Sequence, residues 1–229
     1  KSIIFVPGFQ ATQSSVKYWA KYLAERGFLS MTIGTNSLND TPNDRAKALI
    51  DAMKTLRMEN KRKSSPIFDR IDTSSIAVGG WSMGGGGAQL AAVIEPKIKV
   101  VIAIAPWLNY FTLTNNDLNH TTPVLILSGE NDLVAPPEFN ANIQYDYTPE
   151  NTEKLIVEIA DGNHYTPLYP SEDNGNLGNV GYVWLKLFLD DNDCYCKLLN
   201  NDSLINESFY SKFETNIDCS YLSVSYNSY

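Results

Sequence analysis

One short segment carries the strongest chemical signal in this sequence of 229 residues. Residues 80–84 are Gly-Trp-Ser-Met-Gly, a G-x-S-x-G motif between a strand-like run at 76–79 and a helix-compatible run at 88–93. Glycines two residues before and after a serine allow a sharp strand-to-helix turn that exposes the hydroxyl to an incoming substrate. Ser82 is therefore the predicted nucleophile, and a glycine-rich turn with a structural serine is the alternative.

A serine nucleophile needs a base, and the sequence contains two histidines. The base is ordinarily an imidazole that a carboxylate orients. His164 follows a strand-like run at 155–160, in a turn-rich loop of the kind that meets ligands in open α/β sheets. We therefore predict His164 as the base. His120 precedes a strand, and we expect a surface or structural role for it.

The orienting carboxylate should follow another strand and precede the histidine. Asp132 does so, after the strand-like run at 124–127. The resulting chain order, Ser82, Asp132 and His164, is the order expected of α/β-hydrolases. Asp161 is the competing acid, but only three residues before His164 it is expected to shape the turn.

Two backbone N–H groups should stabilise the oxyanion that forms when a serine attacks a carbonyl. The residue after the nucleophile, Met83, supplies the first. The second should come from a loop after an earlier strand. Phe9 meets this condition, because it follows Gly8 just after the strand-like run at 3–6.

Strand-like and helical patterns alternate along the chain, which is typical of a parallel sheet wrapped by helices. We therefore expect one α/β domain over residues 1–219, with a mostly parallel central sheet and helices on both faces. Thr41 and Pro42 predict the start of the second helix. Residues 220–229 are expected to be a weakly structured tail. The predicted strands are 2–6, 28–33, 75–81, 98–106, 124–128 and 154–160, and the predicted helices are 14–26, 42–60, a segment directly after Ser82, and 179–189.

Composition excludes several classes of protein. The 18 Lys and Arg residues against 26 Asp and Glu residues give a net charge of -8, which argues against nucleic acid as a partner. No apolar run approaches the roughly 20 residues that cross a bilayer, so we expect no membrane span. The 43% of hydrophobic residues is enough for a sizeable core, and Trp19 and Trp184 are expected to belong to it.

All three cysteines, Cys194, Cys196 and Cys219, lie near the end of the sequence. One disulfide to Cys219 leaves one thiol over, and a bond between Cys194 and Cys196 is geometrically poor. We predict one disulfide and an oxidising compartment. Three buried, reduced thiols are the alternative.

Four segments, at 7–15, 80–87, 105–107 and 130–136, resemble the bacterial cutinase-like polyester hydrolases, which include the poly(ethylene terephthalate) hydrolases. The resemblance extends from about residue 2 to residue 219. It implies an α/β-hydrolase fold and a secreted enzyme. It also implies site residues: a triad of Ser82, Asp132 and His164; oxyanion donors Phe9 and Met83; Phe9 and Trp107 flanking an aromatic or acyl group; and Met83 and Val134 lining the cleft.

The sequence departs from this family's pattern in three places. The family's chains open with additional strands before the Pro-Gly-Phe segment, here at 7–9, so this chain is expected to be a fragment or a trimmed form. A second disulfide beside the active site occurs in part of the family, but the corresponding positions here are Gly129 and Thr166. Tyr165 begins an aromatic and proline-rich loop, and we expect it to narrow or re-line the cleft.

These observations predict a serine carboxylic ester hydrolase that needs no cofactor or metal. Its expected substrate is a polyester or a hydrophobic small ester, and we expect a monomer. A small-molecule lipase or carboxylesterase without polymer activity is the first alternative. A binding module on a hydrolase scaffold that no longer turns over is the second. Trp107 as a core aromatic and Val134 as loop packing remain the structural alternatives for those two residues.

Overall fold

A seven-stranded sheet forms the centre of the computed structural model, which describes residues 1–200, 204–205 and 208–219. The strand order is β2-β1-β3-β4-β5-β6-β7. The strands β1 to β6 run parallel to one another, and β7 is antiparallel to β6. The strands are β1 (Ser2–Val6), β2 (Leu29–Thr32), β3 (Ile76–Trp81), β4 (Val101–Ile104), β5 (Val124–Gly129), β6 (Lys154–Ile159) and β7 (Tyr210–Thr215).

Helices cover both faces of the sheet. Side chains of α1 and α5 pack in one hydrophobic core, and those of α2, α3 and α4 pack in the other. The predicted α/β fold with a mostly parallel sheet is thereby confirmed. The helices are α1 (Lys17–Ala24), α2 (Pro42–Glu59), α3 (Met83–Ile94), α4 (Ala141–Tyr147) and α5 (Asn176–Phe188), with 3-10 helices at Gln13–Val16, Asn115–Leu118, Pro137–Phe139, Thr166–Leu168, Asp173–Gly175 and Asp193–Asn200.

The start of α2 follows the predicted signal. The Thr41 hydroxyl accepts a hydrogen bond from the Asp44 amide at 3.3 Å, and the Asp44 carboxylate accepts one from the Thr41 amide at 3.2 Å. Pro42 occupies the first turn, where its missing N–H costs no helical hydrogen bond. This capping box fixes where the helix begins and thereby the register of the buried residues that follow.

The strand predicted over 98–106 is shorter in the structure, where β4 spans Val101–Ile104, and two further elements were not predicted. The helix α4 was not predicted, because its buried residues include the polar Gln144 alongside Ala141 and Tyr145. The strand β7 was also not predicted, because as an edge strand it alternates only weakly between buried and exposed positions. Residues 220–229, predicted to be a tail, lie outside the described residues, and the single-domain organisation stays a prediction.

Two tryptophans and one disulfide belong to the hydrophobic core that contains α1 and α5. Trp19 and Trp184 are fully buried, as predicted. Cys196 and Cys219 form a disulfide with a Cα–Cα distance of 5.7 Å. This bond ties the 3-10 helix at Asp193–Asn200 to the chain after β7 and confirms the predicted disulfide to Cys219. Over the described ranges, no helix combines the length and apolar character needed to span a membrane.

His120 lies shortly before β5 and is buried, which favours the structural of the two expected roles. Burial lowers the pKa of its imidazole to about 4, and a main-chain hydrogen bond at Thr122 offsets only part of this effect. The folded protein therefore holds His120 neutral across a pH range in which the unfolded chain protonates it, since a free histidine titrates near pH 6.5.

Stability should therefore fall as the pH drops through this range. Between pH 6.5 and pH 4 the unfolded state binds more protons than the folded state at this site, so the free energy of unfolding decreases as pH decreases. From pH 7.5 to pH 5 the loss from His120 should be about 2 kcal/mol. Urea unfolding at both pH values measures it. In the His120→Leu variant this part of the pH dependence should disappear; an unchanged pH dependence in that variant would contradict the assignment.

Candidate active site

The residues of the site lie on the loops that follow four neighbouring strands. Because β3, β4, β5 and β6 are parallel and adjacent, the loops that follow them emerge at the same edge of the sheet. Ser82 follows β3, Trp107 follows β4, Asp132 follows β5 and His164 follows β6. Residues far apart in the sequence are thereby gathered at one edge.

Ser82 occupies a strained turn between β3 and α3. Its backbone angles are φ 58° and ψ −124°, a conformation that side-chain-bearing residues adopt only when their surroundings enforce it. Its amide donates to the Ile104 carbonyl at 2.9 Å, and its carbonyl accepts from the amides of Gly86 at 3.1 Å and Trp107 at 2.9 Å. These main-chain bonds hold the turn and place Trp107 directly beside Ser82.

The two outer glycines of the motif are required by close packing. A Cβ atom on Gly80 would lie 2.3 Å from the Gly84 carbonyl oxygen, and one on Gly84 would lie 2.4 Å from the Val6 carbonyl oxygen. Real Cβ atoms do not come this close to main-chain atoms. The glycines therefore allow the strand, the turn and the first turn of α3 to contact one another directly.

His164 and Asp132 form a buried pair. His164 Nδ1 lies 2.7 Å from Asp132 Oδ2, and both residues are buried. The second carboxylate oxygen, Oδ1, accepts hydrogen bonds from the amides of Val134 and Ala135, both at 2.8 Å. A carboxylate only accepts hydrogen bonds, so opposite an Asp132 carboxylate Nδ1 is the donor, which leaves Nε2 as the acceptor of a neutral imidazole. This is the tautomer that a general base needs.

The competing acid, Asp161, does not contact the His164 ring. It has a positive φ of 55°, and its amide donates to the Glu130 carboxylate at 2.9 Å while its carboxylate accepts from the Asn131 amide group at 3.3 Å. Asp161 therefore shapes the turn that precedes His164, as the sequence analysis expected.

Two glycines join the loops that carry the buried pair. A Cβ on Gly129 would lie 2.6 Å from main-chain atoms of Gly162 and Asn163, and one on Gly162 would lie 3.2 Å from the Cα of Gly129. The Asn131 amide donates to the Gly162 carbonyl at 2.7 Å. At this place one main chain packs directly on the other.

Trp81 contacts His164, and this contact was not predicted from the sequence. Its indole Nε1 donates to the His164 carbonyl at 3.0 Å, and its ring lies 5.1 Å from the imidazole and 5.5 Å from the Tyr165 ring. Because Trp81 directly precedes Ser82, this contact ties the loop of His164 to the Ser82 turn. Trp81 occupies a variable position of the G-x-S-x-G motif, so no sequence signal distinguished it.

The two predicted oxyanion donors flank the Ser82 turn. A Cβ on Gly8 would lie 2.9 Å from the Cβ of Ser82, so the loop that carries Phe9 packs directly on Ser82. Met83 is the first residue of α3, and the first amides of a helix have no acceptor within it. Both amides therefore belong to segments in contact with Ser82, and their role as donors stays a prediction.

The predicted substrate-binding residues are all at least partly exposed, and their role in binding stays a prediction. Val134, Tyr165 and Phe9 are exposed, and Trp107 and Met83 are partly buried. Val134 is tied to Asp132 through its amide. None of these side chains belongs to the buried core, so their surfaces are available to a ligand. Within the described ranges, no group of three or more His, Cys, Asp or Glu side chains is arranged to hold a metal ion.

The parallel sheet, the strained serine turn and the buried carboxylate–imidazole pair place the protein in the α/β-hydrolase class. More narrowly, the chain belongs to the PET hydrolase-like family, whose model matches residues 1–219.

Three characterised relatives illustrate this membership. The chain is similar to Cutinase est1 of Thermobifida alba, with 32% identity over 86% of this chain and 64% of the relative. Identity is 31% to a bis(hydroxyethyl) terephthalate hydrolase of Streptomyces coelicolor, over 86% of this chain and 60% of the relative. Identity is 33% to Cutinase 1 of Thermobifida cellulosilytica, over 86% of this chain and 72% of the relative. The matched segment thus spans less than two thirds of the first two relatives.

The contact between Gly129 and the His164 loop makes a direct prediction. In the Gly129→Ala variant the new Cβ would press on Gly162 and Asn163, so the loops must separate and the Asp132–His164 hydrogen bond should weaken. We expect a lower melting temperature and loss of the far-downfield proton NMR signal of the His164 Nδ1–H. Gly34→Ala is the matched control, because its Cβ would meet only the Gln13 side chain at 3.7 Å. An unchanged signal in Gly129→Ala would contradict the packing argument.

Proposed function

We propose that this chain is a serine carboxylic ester hydrolase that acts on polyesters or hydrophobic esters. The observation that carries the proposal is the buried hydrogen bond of 2.7 Å between His164 Nδ1 and Asp132 Oδ2, at the same sheet edge as the strained Ser82 turn. Membership of the PET hydrolase-like family supports it. So do the names of the relatives, which are cutinases and a bis(hydroxyethyl) terephthalate hydrolase.

Acylation begins at the Ser82 hydroxyl. Its oxygen attacks the ester carbonyl carbon while its proton passes to Nε2 of His164, and the carbonyl oxygen becomes an oxyanion. The oxyanion then reforms the carbonyl and the bond to the alcohol oxygen breaks. His164 gives its proton to the departing alcohol, and the acyl group remains on Ser82.

Deacylation repeats the sequence with water. His164 Nε2 removes a proton from a water molecule, whose oxygen attacks the acyl carbon. When the second oxyanion collapses, the bond to Ser82 Oγ breaks and the proton returns from His164 to Ser82. The carboxylic acid product leaves, and the enzyme is restored.

Asp132 and the two amides act on the charges that these steps create. The imidazolium that forms twice in each cycle is stabilised by the Asp132 carboxylate, which two main-chain amides keep in place. The amides of Phe9 and Met83 donate to the oxyanion. Loss of one such donor typically raises the barrier by about 3 kcal/mol.

The surroundings of the site support a hydrophobic substrate. Phe9, Val134 and Tyr165 lie on the loops that carry the site and have exposed apolar surface. A further cluster, the aromatic platform of Tyr110, Phe111 and Phe139, lies on the loops that continue from Trp107 and Val134. The Tyr110 ring lies 4.1 Å from that of Phe111 and 5.0 Å from that of Phe139.

The platform favours a polymer over a small ester. Aromatic surface of this kind is more than one small ester needs, and Phe111 is 81% exposed. Large exposed apolar clusters generally mark a binding surface. A small-molecule lipase or carboxylesterase would use the same triad, and the difference between the two activities lies in the handling of an insoluble substrate.

A binding module without turnover is the less favoured alternative. Binding alone requires neither a serine held at a positive φ nor a buried carboxylate that fixes an imidazole tautomer. Both features cost stability and are typical of catalytic sites.

We further propose that the enzyme acts in an oxidising, extracellular environment, and the Cys196–Cys219 disulfide supports this. The described chemistry runs on side chains and main-chain amides, so no cofactor is invoked. A monomeric state and the absence of nucleic-acid binding stay predictions from the sequence.

The nucleophile is tested by hydrolysis of p-nitrophenyl butyrate. In Ser82→Ala, kcat/KM should fall by about 10⁴-fold or more, because no other group replaces the attacking oxygen. Ser64→Ala is a control at an exposed loop position and should retain the parent's activity. If Ser82→Ala keeps a substantial fraction of the activity, Ser82 is not the nucleophile. If the folded parent is inactive, the non-catalytic alternative gains support.

The substrate class is tested with the aromatic platform. In Phe111→Ser, hydrolysis of an insoluble polyester film should fall about fivefold, the scale of one lost aromatic contact. Hydrolysis of soluble p-nitrophenyl butyrate should stay within about twofold of the parent, because Phe111 does not touch the triad. Ile94→Ser is the matched control, since Ile94 is also exposed but ends α3 on the far side from Ser82. Equal losses on both substrates would contradict the polymer assignment.

A further inference from the structure

Arg45 is a buried cation on α2 that the proposed chemistry does not use. Its side chain is completely shielded from solvent. Nη1 donates to the Pro7 carbonyl at 2.9 Å and Nη2 donates to the Leu38 carbonyl at 3.2 Å. Nε is buried without a partner among the described residues.

A guanidinium in such a place is costly, because burial penalises a charge unless it is well paired. Burial lowers the pKa of Arg45, and the charges of Asp40 and Asp44 offset part of that effect. Arginine nevertheless stays protonated in proteins. The guanidinium donates to two main-chain carbonyls, those of Pro7 and Leu38. Its charge therefore stabilises the positions of two backbone segments.

The two hydrogen-bonded backbone positions lie on either side of the Phe9 amide along the chain. Pro7 precedes Phe9 by two residues, and its carbonyl is held directly by Arg45. On the other side, the Leu38 carbonyl accepts from both Arg45 Nη2 and the Gln10 amide, the latter at 2.8 Å. Gln10 has a positive φ of 52°, an uncommon conformation that needs external support. The peptide between Gly8 and Phe9 is thus fixed from both ends.

Arg45 also packs on the helix that begins at the nucleophile. A Cβ on Gly87 of α3 would lie 2.9 Å from the Arg45 Cβ. A Cβ on Gly84 would lie 2.6 Å from the same Pro7 carbonyl oxygen that Arg45 binds. One side chain therefore joins the loop of Phe9 to the first turns of α3, where Met83 lies.

We propose that Arg45 is a positioning residue of the oxyanion hole. The two donors of its guanidinium hold the loop of Phe9 so that the Phe9 N–H and the Met83 N–H point at the same oxyanion. This inference rests on the proposed ester hydrolase function. Arg45 touches neither the substrate nor the reacting atoms. It acts by fixing the distance between two amides, and a donor displaced by about 1 Å costs on the order of 10²-fold in rate.

Two variants distinguish the effect of the guanidinium geometry from the effect of its charge. Arg45→Gln removes the charge, and Arg45→Lys keeps the charge but loses the planar fork that reaches two carbonyls at once. On p-nitrophenyl butyrate at a temperature where both are folded, kcat should fall about 100-fold in Arg45→Gln and about 10-fold in Arg45→Lys. KM should stay within about twofold, because the misplaced donor acts only once the oxyanion forms.

A second readout reports on the tetrahedral state itself. Phenylboronic acid forms a bond between boron and Ser82 Oγ, the hydroxyl proton passes to His164, and the resulting tetrahedral boronate mimics the oxyanion intermediate. Its inhibition constant should rise in both variants in proportion to the loss in kcat, since transition-state mimics depend on the same donors. A purely structural role would leave this constant unchanged in the folded variants.

Lys154→Gln is the matched control. Lys154 is also a buried cation that donates to two main-chain carbonyls, those of Tyr145 at 3.1 Å and Thr148 at 2.9 Å. It lies at the amino end of β6, away from the site. This variant should lose thermal stability yet keep the parent's kcat and boronate affinity.

The outcomes distinguish the inference from the function on which it rests. If the parent is inactive, the proposed function fails first. If the parent is active and Ser82→Ala is not, but the folded Arg45 variants match the parent in kcat and boronate affinity, only the positioning role is overturned. It is likewise overturned if both Arg45 variants fail to fold, which would assign Arg45 to folding, or if Lys154→Gln shows the same kinetic loss.

Discussion

Main-chain crowding around Ser82 is the constraint on which the rest of the site depends. The strand before it, the helix after it and the loop at Gly8 all approach at distances that leave no room for a Cβ atom. The crowding holds Ser82 at a positive φ, and the hydrogen bonds of its own amide and carbonyl complete the turn. The helix α3 begins directly after Ser82, so its first amide lies beside this turn, where the proposed reaction would develop negative charge. Without this close packing, the serine would be an ordinary surface hydroxyl.

The other members of the site are brought to this turn by the parallel register of the sheet. Asp132 and His164 lie on loops after neighbouring strands, and the loops are packed main chain on main chain at Gly129. Trp81 then links the His164 loop to the Ser82 turn through one hydrogen bond and one ring contact. The buried imidazole thus has its carboxylate partner at Nδ1 and the indole of Trp81 beside its ring. This rigidity would suit the proposed base, which must accept and return a proton twice in each cycle.

Much of this arrangement could be predicted from the sequence, because the decisive signals are local. A glycine-flanked serine between a strand and a helix, and acidic and imidazole residues just after later strands, follow from short patterns. The contacts of Trp81 and Arg45 were not predictable in this way. Trp81 fills a variable position of its motif, and Arg45 lies on a helix whose polar residues are mostly exposed. Their importance comes from what the fold brings beside them, which spacing along one chain does not show. The edge strand β7 was missed because its pairing with β6 determines its conformation more strongly than its own weakly alternating sequence does.

The most direct test of the account is covalent labelling of the nucleophile. The chain is treated with diethyl p-nitrophenyl phosphate, and the modified peptide is identified by mass spectrometry. The account predicts one diethylphosphoryl group per chain, on Ser82, with release of one p-nitrophenolate. It also predicts a labelling rate about 10⁴-fold slower in Asp132→Asn, because the imidazole then loses the tautomer that activates the serine. A folded parent that is not labelled, one that is labelled at another residue, or an Asp132→Asn variant that reacts as fast as the parent would contradict it.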